Sequence, residues 1–273
     1  MAAVRDALAD VDLVVVENLL SLPLQPAAWE AVSGVLRGRP AVLHHHDLPW
    51  QRRWPDVVPP DDPAWRHVTV NDRSRDELAS RGIDAVTIRP VVDTGEPPGD
   101  PAAVPFVDRG ERVLLHPVRA IERKDLPAAI RLAEALGATY WLTGPAEEGF
   151  DVGPVLAAAR CRVVHAPAPG RVADAYAVAS AVAFPSRWEG FGMPVLESAL
   201  WRRPLAIRRY PVAGELAAFG FAWFPHDDAA PLAAFLAEPD EALLDRNEAI
   251  VRERFSPARL RAELAALCES VVP

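Results

Sequence analysis

Ten short apolar runs alternate with stretches of helical periodicity, and this alternation restricts the chain to a fold built on parallel strands. The runs fall at 11–17, 41–46, 65–71 and 84–89, then near 112–118, 139–143, 161–165, 180–184, 204–207 and 221–224. Between them the spacing predicts helices at 2–9, 27–36, 72–81, 125–136, 152–159, 170–178, 193–202 and 212–218. Near-continuous Val, Ala and Leu runs are what strands need when both faces of the sheet are covered, and the helices supply the crossovers. An α/β fold of doubly wound parallel sheets follows. Five prolines make 47–63 a loop. The stretch 227–270 reads as wholly helical, with a helix-start signal at Ser256-Pro257.

The segment 90–110 has linker composition, rich in Pro, Gly and Asp. It places a first domain at 1–100 and a second at 101–255, with a final helix at 256–273 expected to pack back on the first. The second domain has six strand candidates, a full doubly wound sheet. The first has four and opens without a glycine-rich turn after its first strand, so it reads as a Rossmann-like domain shortened at its N-terminus. A formal net charge of −9 disfavours nucleic acid or an anionic membrane as partner. No apolar run reaches the roughly 18 residues that span a bilayer, and the two cysteines are far apart, so a cytoplasmic protein without a disulfide framework is expected.

The most informative stretch is Pro185-Ser-Arg-Trp-Glu-Gly-Phe-Gly-Met-Pro-Val-Leu-Glu197. An apolar strand breaks at Pro185, turns through Gly190, Phe191 and Gly192, and enters a helix at Met193, with Pro194 in the first turn, where a missing N–H costs nothing. Such a joint aims backbone N–H groups and a positive helix end at an anion. Glu189 and Glu197 frame the turn, and carboxylates there can accept hydrogen bonds from sugar hydroxyls. Phosphate at the turn and hydroxyls at the acids describe a nucleotide-sugar site.

Two cations flank the first turn of the second domain. Arg119 and Lys124 follow the strand near 112–118, and Lys124 is the single lysine among 29 basic side chains. At the carboxyl edge of a parallel strand such a pair can clamp a diphosphate and stabilise it as a leaving group. His44, His45 and His46 end another strand, with His44 and His46 on one face. No carboxylate or cysteine stands near them at metal-ligand spacing, so no metal is expected there.

The Glu189–Glu197 string resembles the donor-site signature of retaining GT-B glycosyltransferases of family 4, in which two glutamates bracket a Gly-Phe-Gly turn. The resemblance covers about residues 40 to 220, and its specific motifs are 119–124 and 185–197. It implies two Rossmann-like domains and transfer of a hexose from a nucleoside diphosphate sugar to an acceptor hydroxyl, with retention and without a metal. It also implies that Arg119 and Lys124 hold the diphosphate with the turn 190–193. Glu197 would meet the ribose, Glu189 the transferred sugar, and His46 (with His44 in reserve) the sugar from the first domain. Two other readings keep the fold: a non-catalytic nucleotide-sugar-binding or partner subunit, and a sugar epimerase. No GxGxxG follows a strand, and neither a phosphate-loop Gly-Lys-Ser/Thr nor a GxSxG turn is present.

Overall fold

The computed structural model describes residues 2–108 and 110–271. They form an α/β protein with two all-parallel sheets, one in each of two compact units: Met1–Val91 with Pro257–Pro273, and Val92–Ser256.

In the first unit the order is α1 (Ala2–Ala7), β1 (Val14–Glu17), α2 (Pro26–Leu36), β2 (Ala41–His45), β3 (Trp65–Thr69), α3 (Asp72–Ala79) and β4 (Ala85–Thr87). The strands lie side by side in chain order, β1-β2-β3-β4. Period-two alternation sorts their side chains between two cores. Ala41, Leu43 and Trp65 face Val16, Leu20 and Leu36 on one side. Val42 and Val68 meet Ile88 together with Leu267 and Val271 of the C-terminal helix, Pro257–Val271, on the other. Burying each of these large side chains contributes roughly 1.5–3 kcal/mol. The register pairs Glu17 with His44, so the carboxyl ends of β1 and β2 are level.

The second unit runs β5 (Val113–His116), α4 (Leu126–Leu136), β6 (Thr139–Leu142), α5 (Val152–Ala157), β7 (Val163–His165), α6 (Val172–Val178) and β8 (Ala181–Phe184). It continues with α7 (Met193–Leu200), β9 (Leu205–Ile207), α8 (Pro211–Ala217), β10 (Phe224–Pro225), α9 (Ala230–Ala237) and α10 (Glu241–Arg254). The sheet order is β10-β9-β8-β5-β6-β7. The chain winds outward from β5 in one direction and returns beside it with β8, so the strand order reverses between these two. In open α/β sheets that reversal leaves a crevice at the carboxyl ends of the strands.

Two elements differ from the sequence expectation. The helical stretch 227–270 breaks once more than the helix-start signal at Ser256-Pro257 implies, giving three helices. Glu238, the residue before Pro239, leaves the helical region (φ −139°, ψ 86°), and Asp240 Oδ1 caps α10 by accepting from Ala242 N at 3.0 Å. The strand expected at 221–224 is reduced to Phe224–Pro225. The linker-like segment is also structured: Asp100 N donates to Asp174 Oδ1 (2.8 Å), and Arg171 donates to the carbonyls of Pro97 and Pro98 (both 3.0 Å). These bonds pin 97–100 to α6, and the two units divide at Val91–Val92 rather than at residue 100. No helix among the described residues is long and apolar enough to cross a membrane.

Candidate functional site

The loops after β5 and β8 leave the sheet at the point where its strand order reverses, and they are stitched to each other. Lys124 Nζ donates to Glu189 Oε1 at 2.5 Å, and Arg123 Nη1 donates to Glu189 Oε2 at 2.9 Å and to Trp188 O at 2.7 Å. The Arg187 amide donates to Arg123 O at 2.8 Å. Lys124 closes a 3-10 turn, Glu122–Lys124, and Asp125 then takes a left-handed conformation (φ 49°) that starts α4. The Asp125 carboxylate accepts from Arg208 Nη2 at 2.7 Å, just beyond the end of β9. Arg208 Nε donates to Pro185 O at 2.9 Å. Three successive strand ends, β5, β8 and β9, thereby share one charged network.

Positive charge dominates its electrostatics. Arg119, Arg123, Lys124, Arg187 and Arg208 face only Asp125, Glu147 and Glu189 among their salt-bridge partners. The cations are in excess locally although the chain is acidic overall. Burial would raise the carboxyl of Glu189, but Lys124 and then Arg123 outweigh it and hold the group below the usual carboxylate range. Burial pulls the Lys124 ammonium down, opposed by Glu189. The pair is a buried ion pair in which each member keeps the other charged.

The turn after β8 behaves as its glycines require. Gly192 stands at φ 106° as the residue before α7, and no side chain caps that helix end. Tyr210 Oη donates to Phe191 O at 2.7 Å and packs edge-on to Phe184, with ring centroids 5.9 Å apart, fixing the turn from behind. One turn into α7, Glu197 Oε2 accepts from Tyr176 Oη at 2.7 Å. Burial raises the carboxyl of Glu197, and the tyrosine hydrogen bond works against it.

Of the expected site residues in this unit, the structure brings Lys124, Glu189 and the 190–193 turn to one edge. Arg119 lies on the same loop but is taken by Glu147 at 2.6 Å, in the loop after β6. That loop comes close because Gly144 has no side chain: a Cβ there would collide with the carbonyl of Val118 and lie 2.7 Å from Arg119 Cα. Sequence reading passed over Asp125, Arg208, Tyr176 and Tyr210, and assigned Arg123 no task. Arg208 had a usable signal, being the first residue after an apolar strand in an α/β sheet.

His116, at the end of β5, is fully buried with Nδ1 2.8 Å from Tyr140 Oη. Burial, then Lys124, lowers its pKa to about 3. The unfolded chain takes up a proton near pH 6.5 that the folded protein refuses. The resulting stability is complete above pH 6.5 and is lost progressively as pH falls toward 3. At pH 5.5 the loss is about 1.4 kcal/mol from this group alone. Urea midpoints for wild type and His116→Gln at pH 7.5 and 5.5 are expected to show a smaller acid-side drop in the variant.

In the first unit, His46, the expected sugar-facing residue, and His44 both reach the same oxygen. His44 Nδ1 and His46 Nε2 each lie 2.9 Å from Glu17 Oε2. The sequence expectation that no carboxylate accompanies these histidines is corrected here: the carboxylate comes from the neighbouring strand through the β1–β2 register. His45 points the other way and is buried, between Ser21 Oγ (2.6 Å) and His67 Nδ1 (2.8 Å).

No family model matches the chain. Among solved structures, sucrose-phosphate synthase of Thermosynechococcus elongatus superimposes with a TM-score of 0.76 at 14% identity, covering 99% of this chain and 76% of that one. HepE of Anabaena, solved with UDP-glucose, gives 0.77 at 18% identity, covering 98% and 81%. The fold is of the GT-B type. At these identities the likeness establishes the fold alone. Two curated proteins are similar in sequence, both mannosylglucosylglycerate synthases. The one from Petrotoga mobilis is 25% identical over 272 residues, spanning 78% of this chain and 63% of that protein. The one from Thermotoga maritima is 35% identical over 106 residues, 34% of this chain and 24% of that protein. The chain thus spans less than two thirds of either relative's length.

Proposed function

We propose that the chain is a glycosyltransferase of the retaining GT-B type, family 4, which moves a hexose from a nucleoside diphosphate sugar to an acceptor hydroxyl. The observation that carries this reading is the Lys124–Glu189 pair, which ties together the two loops at the strand-order reversal beside the uncapped start of α7. The similarity to two mannosylglucosylglycerate synthases supports it.

On this reading the donor diphosphate lies over the β5 and β8 loops. Arg119 and Lys124 neutralise it, and the N–H groups of Gly192 and Met193 point at its oxygens. Charge that builds on the leaving diphosphate is then met by donors already in place. Lys124 would share its ammonium between Glu189 and phosphate, which positions Glu189 at the transferred sugar. Glu197, oriented by Tyr176, receives the ribose hydroxyls. No protein nucleophile is assigned, and these cations do the work that a metal would do on the diphosphate.

The test is a thermal-shift and calorimetric screen of UDP, GDP and ADP with their hexose conjugates. Selective stabilisation by one base is expected, because a ligand of the native state raises its melting temperature. Glu197→Ala should weaken that ligand by about 1–3 kcal/mol, the scale of a lost charge-assisted contact. Absence of binding by all three nucleotides would overturn the donor-site assignment. Binding without sugar transfer or hydrolysis would replace the enzyme by a donor-binding subunit.

A further inference from the structure

At the carboxyl edge of the first unit, Glu17 ends β1 while His44 and His46 end β2, and their donor atoms all lie within 4.8 Å of one another. We infer that Glu17, His44 and His46 form a mononuclear site for a divalent cation of the Zn2+ class. It lies wholly within the first unit and gives His46 a task other than lining a sugar.

The donor set suits such an ion. Two imidazole nitrogens and one carboxylate oxygen favour Zn2+, Co2+ or Ni2+ over Mg2+ and Ca2+, which prefer oxygen ligands. Tetrahedral bonds of about 2.0–2.2 Å place neighbouring donors roughly 3.3–3.6 Å apart, within a few tenths of an ångström of the separations found. Both nitrogen–oxygen separations here are 2.9 Å. The two imidazoles stand nearly edge to face, with centroids 4.7 Å apart at 76°, so both approach the shared oxygen without their planes clashing. Ligation through these atoms requires the proton of His44 on Nε2 and that of His46 on Nδ1.

The site is also held from behind. The β1–β2 register sets Glu17 opposite His44. Asn18, in a left-handed conformation (φ 58°), then turns the chain and clamps the end of β2: its amide donates to His44 O at 2.9 Å, and its Oδ1 accepts from His46 N at 2.9 Å. This bracket fixes the two histidine backbones relative to Glu17, which lowers the cost of organising three ligands. The mouth is open, with Glu17 58%, His46 49% and His44 22% exposed at the side chain. An ion can enter freely, and three protein donors leave a coordination position for water or another small ligand, as in catalytic rather than structural sites.

The decisive experiment is calorimetric titration of the EDTA-treated 273-residue chain with Zn2+, and separately with Mg2+. One equivalent of Zn2+ and no Mg2+ is the expected result. His46→Ala and Glu17→Gln should each weaken Zn2+ at least tenfold, since even supporting partners of metal ligands are worth about 10–100-fold. Both residues are exposed, so these variants should fold, and far-ultraviolet circular dichroism melts check that they do. A Cys161→Ser/Cys268→Ser variant should bind as wild type does. Co2+ should give visible d–d bands that vanish in His46→Ala. No Zn2+ binding, binding unaffected by His46→Ala and Glu17→Gln, or loss only in the cysteine variant would each overturn the assignment.

Discussion

Replacing Lys124 by methionine is expected to lower the stability of the second unit by about 3 kcal/mol, the lower end of the cost of stranding one member of a buried ion pair. The Lys124 and Glu189 side chains are 10% and 9% exposed, so the carboxylate left behind cannot recover its hydration. Arg123 still reaches Glu189 Oε2, which keeps the loss at the lower end. For a unit of this size the melting temperature should fall by about 6–12 °C. Adding Glu189→Leu removes the stranded charge, and the double variant should regain most of the stability, because apolar replacements of similar volume commonly match a buried pair. The ammonium is still missing from the double variant, so nucleoside diphosphate binding should stay lost. Urea unfolding and nucleotide titration on the same three proteins separate the two roles. A single variant as stable as wild type would show that the pair does not bear on folding, and nucleotide binding by the double variant would remove Lys124 from the donor site.

This division explains what could be read from the sequence. Alternation of strand and helix placed 119–124 and 185–197 after strands, and the glycine turn before Met193 announced the uncapped helix start that the structure has. What spacing could not reveal was that Lys124 and Glu189 bind each other. They are 65 positions apart, and they meet only because β8 inserts beside β5, a fact of strand order rather than of local pattern. Glu17 was invisible as a partner of His44 and His46 for the same reason: parallel register brings it there from 27 and 29 positions away. The break near Pro239 was legible in the Glu-Pro-Asp string, but the helical propensity on either side masked it. Arg123 shows in the sequence only as one more cation beside Lys124, whereas its guanidinium joins a carboxylate and a carbonyl of the facing loop.

Gly192→Ala is expected to destabilise the second unit by about 4 kcal/mol. Three costs combine. At φ 106° an L side chain is strained, by about 1–2 kcal/mol. The new Cβ would sit 2.8 Å from Phe184 Cε1 and well inside contact distance of Tyr210 Oη, and forcing a methyl into a packed core costs about 1–3 kcal/mol. If Tyr210 retreats, its hydrogen bond to Phe191 O breaks, at about 1 kcal/mol. Gly137→Ala is the control: its φ is also positive, at 60°, but a Cβ there meets nothing within 4 Å, so only the backbone strain of about 1 kcal/mol applies. Adding Tyr210→Phe to Gly192→Ala removes the hydroxyl from the collision but leaves Phe184 in place, so recovery should be partial. Because Gly192 sets the direction of the first N–H groups of α7, nucleotide affinity should fall in Gly192→Ala and persist in Gly137→Ala. Equal melting temperatures for the two variants would mean that the turn is looser than its contacts indicate. Full nucleotide affinity in a folded Gly192→Ala protein would take the helix end out of the site.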